Sequence, residues 1–506
     1  MRQLFPISGV RRAVAAVAWT LLLVSSLPAQ EAGTRAMEPA AQAVVVPIHG
    51  DIDPPLVVFL RRSIERAREL GAGTVIFDID TFGGRVDSAL QIANLIGSQT
   101  DLHTVAYVRL RPEGTGVSWS AGALISMATD QIFMAPGTSI GAAAPVLQAP
   151  GGGAEAADEK TVSAVRTQMA ALAEKNGYPV AVAVAMVDSS AEVIELFVDG
   201  ELQVVTVSDA EDIERRATQD GVTTERGRVI SEAGKLLSLT AGEMARLGIS
   251  SGTPEDFDAL YEKLSLDAGQ VIFLERDTAD RLVAFLTGGA FTSLLIIVGL
   301  GALFFEVTSP GFGLPGTVAI LCFSVLFTGN FLLGQVGSVE LILFLIGLVL
   351  LLLEVLVIPG FGVAGISGIV LVISSLVLSQ QDFIVPDFDW QWAMLQRNVL
   401  MVLASTVGAF VAFGVAAYAL KRSIGFTRLS LQTTADASLG YTVQGIEVST
   451  QYLGKEGVAV TTLRPSGTAE IDGELVTVEA DGEFLDRGTA VEVIRIDGNR
   501  IVVRRT

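Results

Sequence analysis

The sequence predicts an α/β domain, followed by a transmembrane helical domain and a small C-terminal β-barrel. Three patterns carry that prediction: β-branched runs alternating with amphipathic stretches over 44–264, a succession of long apolar runs beyond 281, and five short strand-like runs over 453–505. Alternating strand and helix signals imply a layered α/β domain. Apolar runs of roughly 20 residues suffice to cross a bilayer. Closely spaced strands parted by Gly and Asp turns suit a barrel of the OB type.

Arg2, Arg11 and Arg12 precede the apolar run AVAAVAWTLLLVSSLPA, which ends in small residues at Ala29. This is the layout of a secretory signal over 1–29, with an uncleaved N-terminal anchor as the alternative. Either one delivers the following domain, 40–280, outside the cytoplasm. Within it AVVVPIHG, GTVIFDID, TVAYVRL and DQIFMAP read as strands; PPLVVFLRRSIERAREL, DSALQIANLIGS, SAGALISMA and TVSAVRTQMAALAEKNG read as helices. The Gly- and Ala-rich LQAPGGGAEAADE, 147–159, reads as a loop, and the charged stretch 198–228 as a β insertion ahead of the helical signal SLTAGEMARLGIS.

Apolar runs at 285–307, 314–333, 339–358, 363–378 and 399–420 predict about five crossings in a membrane domain over 285–422. Lys421, Arg422 and Arg428 follow the last run, whereas the 381–392 loop carries Asp382, Asp387 and Asp389 and no basic residue. The positive-inside tendency then puts the C-terminus in the cytoplasm and the acidic loop outside. An internal repeat pairs Glu306 with PGFG at 310–313 and Glu354 with PGFG at 359–362. Pro and Gly there read as turns or short re-entrant elbows, and each glutamate as a functional intramembrane charge or a carboxylate near the headgroups. The final domain, 440–506, is rich in Asp and Glu and poor in aromatics, which favours protein interaction or assembly over single-stranded nucleic acid.

Composition narrows the chemistry. A net charge of −21 over 506 residues argues against a nucleic-acid surface. The single cysteine, Cys322, excludes an intrachain disulfide and a Cys-based metal site. The two histidines, His49 and His103, show no ligand spacing and no evident carboxylate partner in their flanks, so both read as structural. The stretch GVSWSAGALISMA, 116–128, offers serines at Ser118 and Ser120, and a serine nucleophile needs a base within hydrogen-bond reach. With histidine so scarce, that base is a lysine, and upstream of the membrane segments the lysines are Lys160, Lys175, Lys235 and Lys263. Lys160 sits where the Gly-rich loop meets a helix; a helix N-terminus and burial both favour the neutral amine. DTFGGRVDSA, 80–89, follows a strand and offers the Gly83 and Gly84 amides for an oxyanion, with Ala121 supplying another.

The ordered set GDID, DTFGGRVDSA, SAGALI, MAPGTSIGAAAP, Lys160 and LTAGEMARLGI resembles the membrane-bound serine proteases of the ClpP class, the long NfeD family, and GKEGVAVTTLRPSGTAEIDGE resembles the NfeD OB domain. The resemblance implies a ClpP/crotonase-like α/β fold, a Ser-Lys dyad of Ser120 and Lys160, and an oxyanion site at Gly83, Gly84 and Ala121. It also implies cleavage of hydrophobic segments of membrane proteins, with stomatin/SPFH-type proteins as substrates and partners, contact with membrane lipid and homo-oligomeric assembly. No metal or other cofactor is required. Phe82 stands where the family usually has Pro, and Trp119 replaces a small residue before the nucleophile. Two rival functions stay open: a catalytically silent scaffold for stomatin-like proteins, and acyl-CoA chemistry, which export of the domain disfavours.

Overall fold

In the computed structural model, which describes residues 41–148, 154–308, 313–356, 362–422, 450–497 and 500–506, the run AVVVPIHGDI forms β1 (Ala43–Ile52). Val44, Val46 and Ile48 face one side of this strand and Ala43 and Val45 the other, and all are buried, as a strand covered on both faces requires. Asp53 then caps α1 (Pro54–Glu69) by accepting from Leu56 N, with Pro54 at the first helical position. The helix lays Leu56, Phe59, Leu60 and Ile64 on the sheet.

The pattern repeats through β2 (Thr74–Gly84), α2 (Val86–Gly97), β3 (His103–Val108), β4 (Val117–Trp119), α3 (Ala121–Met127), β5 (Gln131–Met134) and β6 (Ser139–Gly141). The 147–159 loop expected from sequence holds a short hairpin, β7 (Val146–Gln148) with β8 (Ala154–Ala156), around residues outside the described set. Next come α4 (Glu159–Lys175) and α5 (Val180–Val187). The charged insertion is wider than expected: β9 (Val193–Val198), β10 (Glu201–Thr206) and β11 (Thr224–Ser231) form their own antiparallel sheet, with a helix, α6 (Val207–Asp220), packed on it. β12 (Ser238–Thr240), α7 (Ala241–Arg246), α8 (Phe257–Leu264) and β13 (Val271–Phe273) close the domain.

The main sheet runs β12-β6-β4-β2-β1-β13, parallel except at β12, and β2 also pairs with β3, which pairs with β5. Strand β2 is thus the fork. Its first half pairs with β3 from Thr74 to Ile79, while Thr81 pairs with Ser118 of β4. That fork brings the glycine turn at the end of β2 beside the segment leading to Ser120.

Helix α9 (Thr278–Thr287), capped by Asp277, leads into the apolar helices α10 (Gly289–Thr308), α11 (Leu314–Leu332), α12 (Ser338–Leu356), α13 (Val363–Leu378) and α14 (Asp389–Arg422). Among the described residues four are long and apolar enough to cross a membrane; Val363–Leu378 is shorter. Two hairpins pack through glycine. A Cβ on Gly299 of α10 would stand 3.0 Å from the Phe323 ring of α11, and one on Gly347 of α12 would stand 2.9 Å from the Gly368 carbonyl of α13. Helix α14 lies along α10, with Phe304 ringed by Phe410 at 5.4 Å and Phe413 at 4.6 Å.

The PGFG elbows fall mostly outside the described residues, but Glu306 and Glu354 do not. Glu306 accepts from Gly313 N and Gly316 N at 2.8 Å each, and Glu354 accepts from Gly362 N. Each carboxylate therefore caps the helix that follows its elbow. The signal segment 1–29 and Arg428 also lie outside the described residues.

The chain divides into compact units 1–418 and 419–506. The second is a closed barrel in the order β14-β15-β16-β18-β17, from β14 (Glu456–Ala459), β15 (Ser466–Ile471), β16 (Glu474–Ala480), β17 (Ala490–Asp497) and β18 (Arg500–Arg505). One parallel pair, β16 with β18, closes an otherwise antiparallel OB-type barrel around Leu463, Ile471, Val478, Val491 and Val503.

Candidate active site

Ser120 sits between β4 and α3 with φ 53° and ψ −116°. A non-glycine residue in such a region costs about 1–3 kcal/mol and persists only where its surroundings hold it. Here the Ser120 amide donates to the Gly141 carbonyl at 2.9 Å, and β4 is pinned between Thr81 of β2 and β6. The half-buried Ser120 hydroxyl makes no hydrogen bond to any described residue and does not cap α3. The Ala121 and Gly122 amides that follow it are likewise without a described partner. Ser118, by contrast, is fully buried and its Oγ lies 2.9 Å from Ser126 Oγ, so it faces the core.

The glycine turn meets this bend directly. Gly83 has φ +110°, and a Cβ there would stand 2.7 Å from Ser120 Cβ and 2.8 Å from Ser120 Oγ. Only glycine fits. Its own N–H donates to Thr81 Oγ1 at 2.9 Å, so this amide is committed to the turn. Gly84 serves a close strand approach, since a Cβ there would fall 2.3 Å from the Ile52 carbonyl. Of the three amides singled out from sequence, that of Gly83 is the one tied up by a side chain, while that of Ala121, beside the hydroxyl, has no described partner.

Asp80 braces the segment before β4. Its carboxylate accepts from Thr115 Oγ1 at 2.7 Å, Thr115 N and Gly116 N at 3.1 Å each, with Arg111 Nη1 at 3.4 Å. Burial alone would push this carboxyl up, but hydrogen bonds from the Thr115 hydroxyl and amide and from the Val117 and Gly116 amides outweigh it and hold the group below the usual carboxylate range. Gly114 permits the approach: a Cβ there would lie 2.0 Å from Asp80 Oδ2.

Lys160 occupies the second position of α4, after the Asp158 cap. It is exposed rather than buried, and Nζ donates to the Asp387 carbonyl at 2.6 Å while lying 4.9 Å from the centre of the Phe388 ring. No hydrogen bond joins it to Ser120. Gly83, Ser120 and Ala121 thus come together, Gly84 adjoins them, and Lys160 is engaged elsewhere, by the loop ahead of α14. The histidine reading needs one correction: His49 Nε2 lies 3.0 Å from Asp78 Oδ2, a carboxylate also held by Arg109. That partner comes from the neighbouring strand, not from the flanking sequence.

The two unusual residues touch. Phe82 and Trp119 meet edge to face at 5.6 Å, and Trp119 Nε1 donates to Ser139 Oγ at 2.9 Å. Phe82 is 62% exposed and Trp119 36%. They form an apolar shoulder immediately beside Ser120.

The chain is an integral membrane protein that carries a ClpP-like α/β domain ahead of its bilayer helices and an OB barrel after them. Family profiles match it in order: the NfeD1b N-terminal domain over 42–225, the NfeD integral membrane domain over 290–417, and the NfeD-like C-terminal, partner-binding domain over 449–505. The membrane protein NfeD1b of Bacillus subtilis (strain 168) is 31% identical over 460 residues, 91% of this chain and 92% of that one, and this chain belongs to the NfeD family, in its long form. The membrane-bound protease PH1510 of Pyrococcus horikoshii is 25% identical over 451 residues, 88% of this chain and 89% of its own. Among solved structures, a 1510-N membrane protease specific for a stomatin homolog from Pyrococcus horikoshii is 21% identical, with a TM-score of 0.31, covering 48% of this chain and 98% of its own. ClpP1 from Listeria monocytogenes is 18% identical with a TM-score of 0.26, covering 43% and 94%.

Sequence reasoning missed the Asp80 brace, the Phe82–Trp119 contact and the hold on Lys160. The first two join residues some 35 positions apart through strand pairing, which no local spacing encodes. The third joins residues 227 positions apart.

Proposed function

We propose that this chain is a membrane-bound serine endopeptidase in which Ser120 is the nucleophile and Lys160 the general base. The observation that carries the reading is the Ser120 backbone, held at φ 53° on a strand-to-helix bend with an unpartnered amide following it and glycine packed against its hydroxyl. Such a bend presents a hydroxyl and an oxyanion donor to the same incoming carbonyl. Lys160 takes the Ser120 proton as Oγ bonds to the scissile carbon. The Ala121 amide, with Gly83 and Gly84 lining the turn, holds the oxyanion. Collapse of the adduct breaks the C–N bond, the leaving amine takes the proton from Lys160, and water then hydrolyses the ester with Lys160 again accepting a proton.

The substrates of this reading are hydrophobic segments of membrane-associated proteins, with stomatin/SPFH-type proteins as partners of the OB domain. Its support is twofold: the exposed Phe82–Trp119 shoulder beside Ser120, and the relatives described as a membrane-bound protease and as specific for a stomatin homolog. Contact with lipid, homo-oligomeric assembly, an extracytoplasmic α/β domain and a cytoplasmic barrel complete the proposal. A silent scaffold is the second reading, favoured by the engagement of Lys160 with Asp387 and by the partner-binding description of the C-terminal profile.

Labelling of purified full-length protein with a fluorophosphonate separates them. The label is expected on the peptide containing Ser120 and is lost in Ser120→Ala, while binding of a stomatin-type partner persists. Undiminished labelling in Ser120→Ala, or a label mapped to another residue, removes the protease reading.

A further inference from the structure

The segment linking α13 to α14, together with the first turns of α14, reaches back onto the α/β domain at three points. Asp387 and Phe388 take Lys160, through a carbonyl at 2.6 Å and an aromatic face at 4.9 Å. Asp382 Oδ2 receives Gln91 Nε2 of α2 at 3.4 Å. Met394 Sδ lies 3.4 Å from Arg85 Nη2, and Arg85 directly follows the Gly83-Gly84 turn. Both partners of Lys160 are ones an ammonium engages: an acceptor for its protons and a ring face for its charge. A lysine so held makes no hydrogen bond to Ser120.

The segment is also internally ordered. Gln391 Oε1 accepts from Asp387 N at 2.6 Å and Phe388 N at 3.2 Å, fixing the very carbonyl that Lys160 uses. Phe388 stacks on Trp390 with 14° between the rings, and Trp390 meets Phe383 edge to face. Because Asp387 and Phe388 directly precede α14, a shift of that helix carries them with it. Displacements of about 1–2 Å at packed helices are an ordinary switching amplitude, enough to break a hydrogen bond.

We propose that the 381–394 segment of the membrane domain is an autoinhibitory strap that holds Lys160 away from Ser120, so that movement of α14 releases the base. The proposal rests on the Ser120–Lys160 reading above. In it the structure is the resting state, and the state of the membrane domain sets whether the serine reacts. Arg85 is a second point of coupling, since its Nε and Nη2 also bind Asp87 at 3.0 and 2.6 Å at the first turn of α2.

The test uses full-length protein in lipid vesicles and the rate of fluorophosphonate labelling at Ser120. In a Cys322→Ser background, Gln91→Cys and Asp382→Cys are bridged by a short bis-methanethiosulfonate, which tethers the strap to α2 and is released by reduction. Bridging is expected to slow labelling at least about tenfold and reduction to restore it, while Phe388→Ala, which removes the ring under Lys160, labels about fivefold faster than the parent. Equal labelling rates in the parent, the bridged protein and Phe388→Ala overturn the strap and leave the serine reading standing. No labelling of Ser120 in any form, Phe388→Ala included, overturns both.

Discussion

At the scale of the residue, the candidate site depends on one strained serine and the carboxylate that braces the chain leading to it. Ser120 was legible in sequence because its chemistry is local: a hydroxyl, then Ala-Gly, at the start of an apolar helix. The brace was not, because Asp80 meets Thr115 and Gly116 only once β2 and β4 pair. The depressed Asp80 carboxyl has a definite consequence for pH. A group whose folded-state value lies below its unfolded value stabilises the fold fully above the unfolded value and loses that contribution as pH falls through the folded one. Asp80 therefore stabilises the domain at neutral pH, and its contribution fades only below the ordinary carboxylate range near 3.8. Asp80→Asn is expected to cost about 1–3 kcal/mol at pH 7, since an amide group then faces donors that a carboxylate oxygen had satisfied. Thermal unfolding measured from pH 7 to 3 should show the gap between parent and variant narrowing as the pH approaches 3. A gap that stays constant across that range would mean the carboxylate charge has no part in holding the 114–117 segment.

At the scale of the element, the Glu-PGFG repeat gains a physical role that the sequence left divided between a functional charge and a headgroup carboxylate. A helix that starts inside or near a bilayer has N–H groups with no water to meet them. Glu306 supplies both of its oxygens to the start of α11, whereas Glu354 reaches the start of α13 through Oε1 alone, on the Gly362 amide, and its Oε2 is buried without a described partner. The repeat is thus two helical hairpins, the first closed by a carboxylate on two amides of the next helix and the second by a carboxylate on one. Its existence was legible because the motif recurs in sequence, whereas its function required knowing which amides the chain folds back to present. Glu306→Gln keeps one acceptor and turns an NH2 toward a backbone N–H, leaving a donor unpaired at a cost of about 1–3 kcal/mol. In detergent the variant should unfold at a lower temperature than the parent, by far-ultraviolet circular dichroism. An unchanged transition would show that water or lipid headgroups satisfy the turn and that the carboxylate is dispensable.

At the scale of the molecule, the contacts between layers decide how the apolar helices are threaded. A Cβ on Gly329 near the end of α11 would stand 3.0 Å from Thr287, the last residue of α9, so α11 returns to the side where α10 began. Ser375 Oγ near the end of α13 donates to the Glu340 carbonyl near the start of α12 at 2.6 Å, so α13 traverses the depth of α12 despite its length. The Asp387 contact with Lys160 then sets the start of α14 beside the α/β domain, and the Phe304–Phe410 and Phe304–Phe413 pairs show α14 descending alongside α10. We propose on these contacts that all five apolar helices cross, although Val363–Leu378 is shorter than the other four. In that proposal helix α13 would make its pass with 16 residues, about 24 Å of helix against a hydrocarbon thickness of about 30 Å. The mismatch is of a size that an elbow at one end and local thinning of the bilayer absorb. Under that proposal the count is odd, and the positive-inside tendency assigns the 381–392 loop and the C-terminus to opposite sides. In a Cys322→Ser background, Val385→Cys in that loop, 72% exposed, and Leu475→Cys in the barrel, 68% exposed, are expected to lie across the membrane from one another. A membrane-impermeant maleimide applied to intact spheroplasts should label Val385→Cys at once and Leu475→Cys only after permeabilisation. Simultaneous labelling of both positions would mean an even count, with α13 lying within one leaflet, and would place the barrel on the same side as the candidate active site.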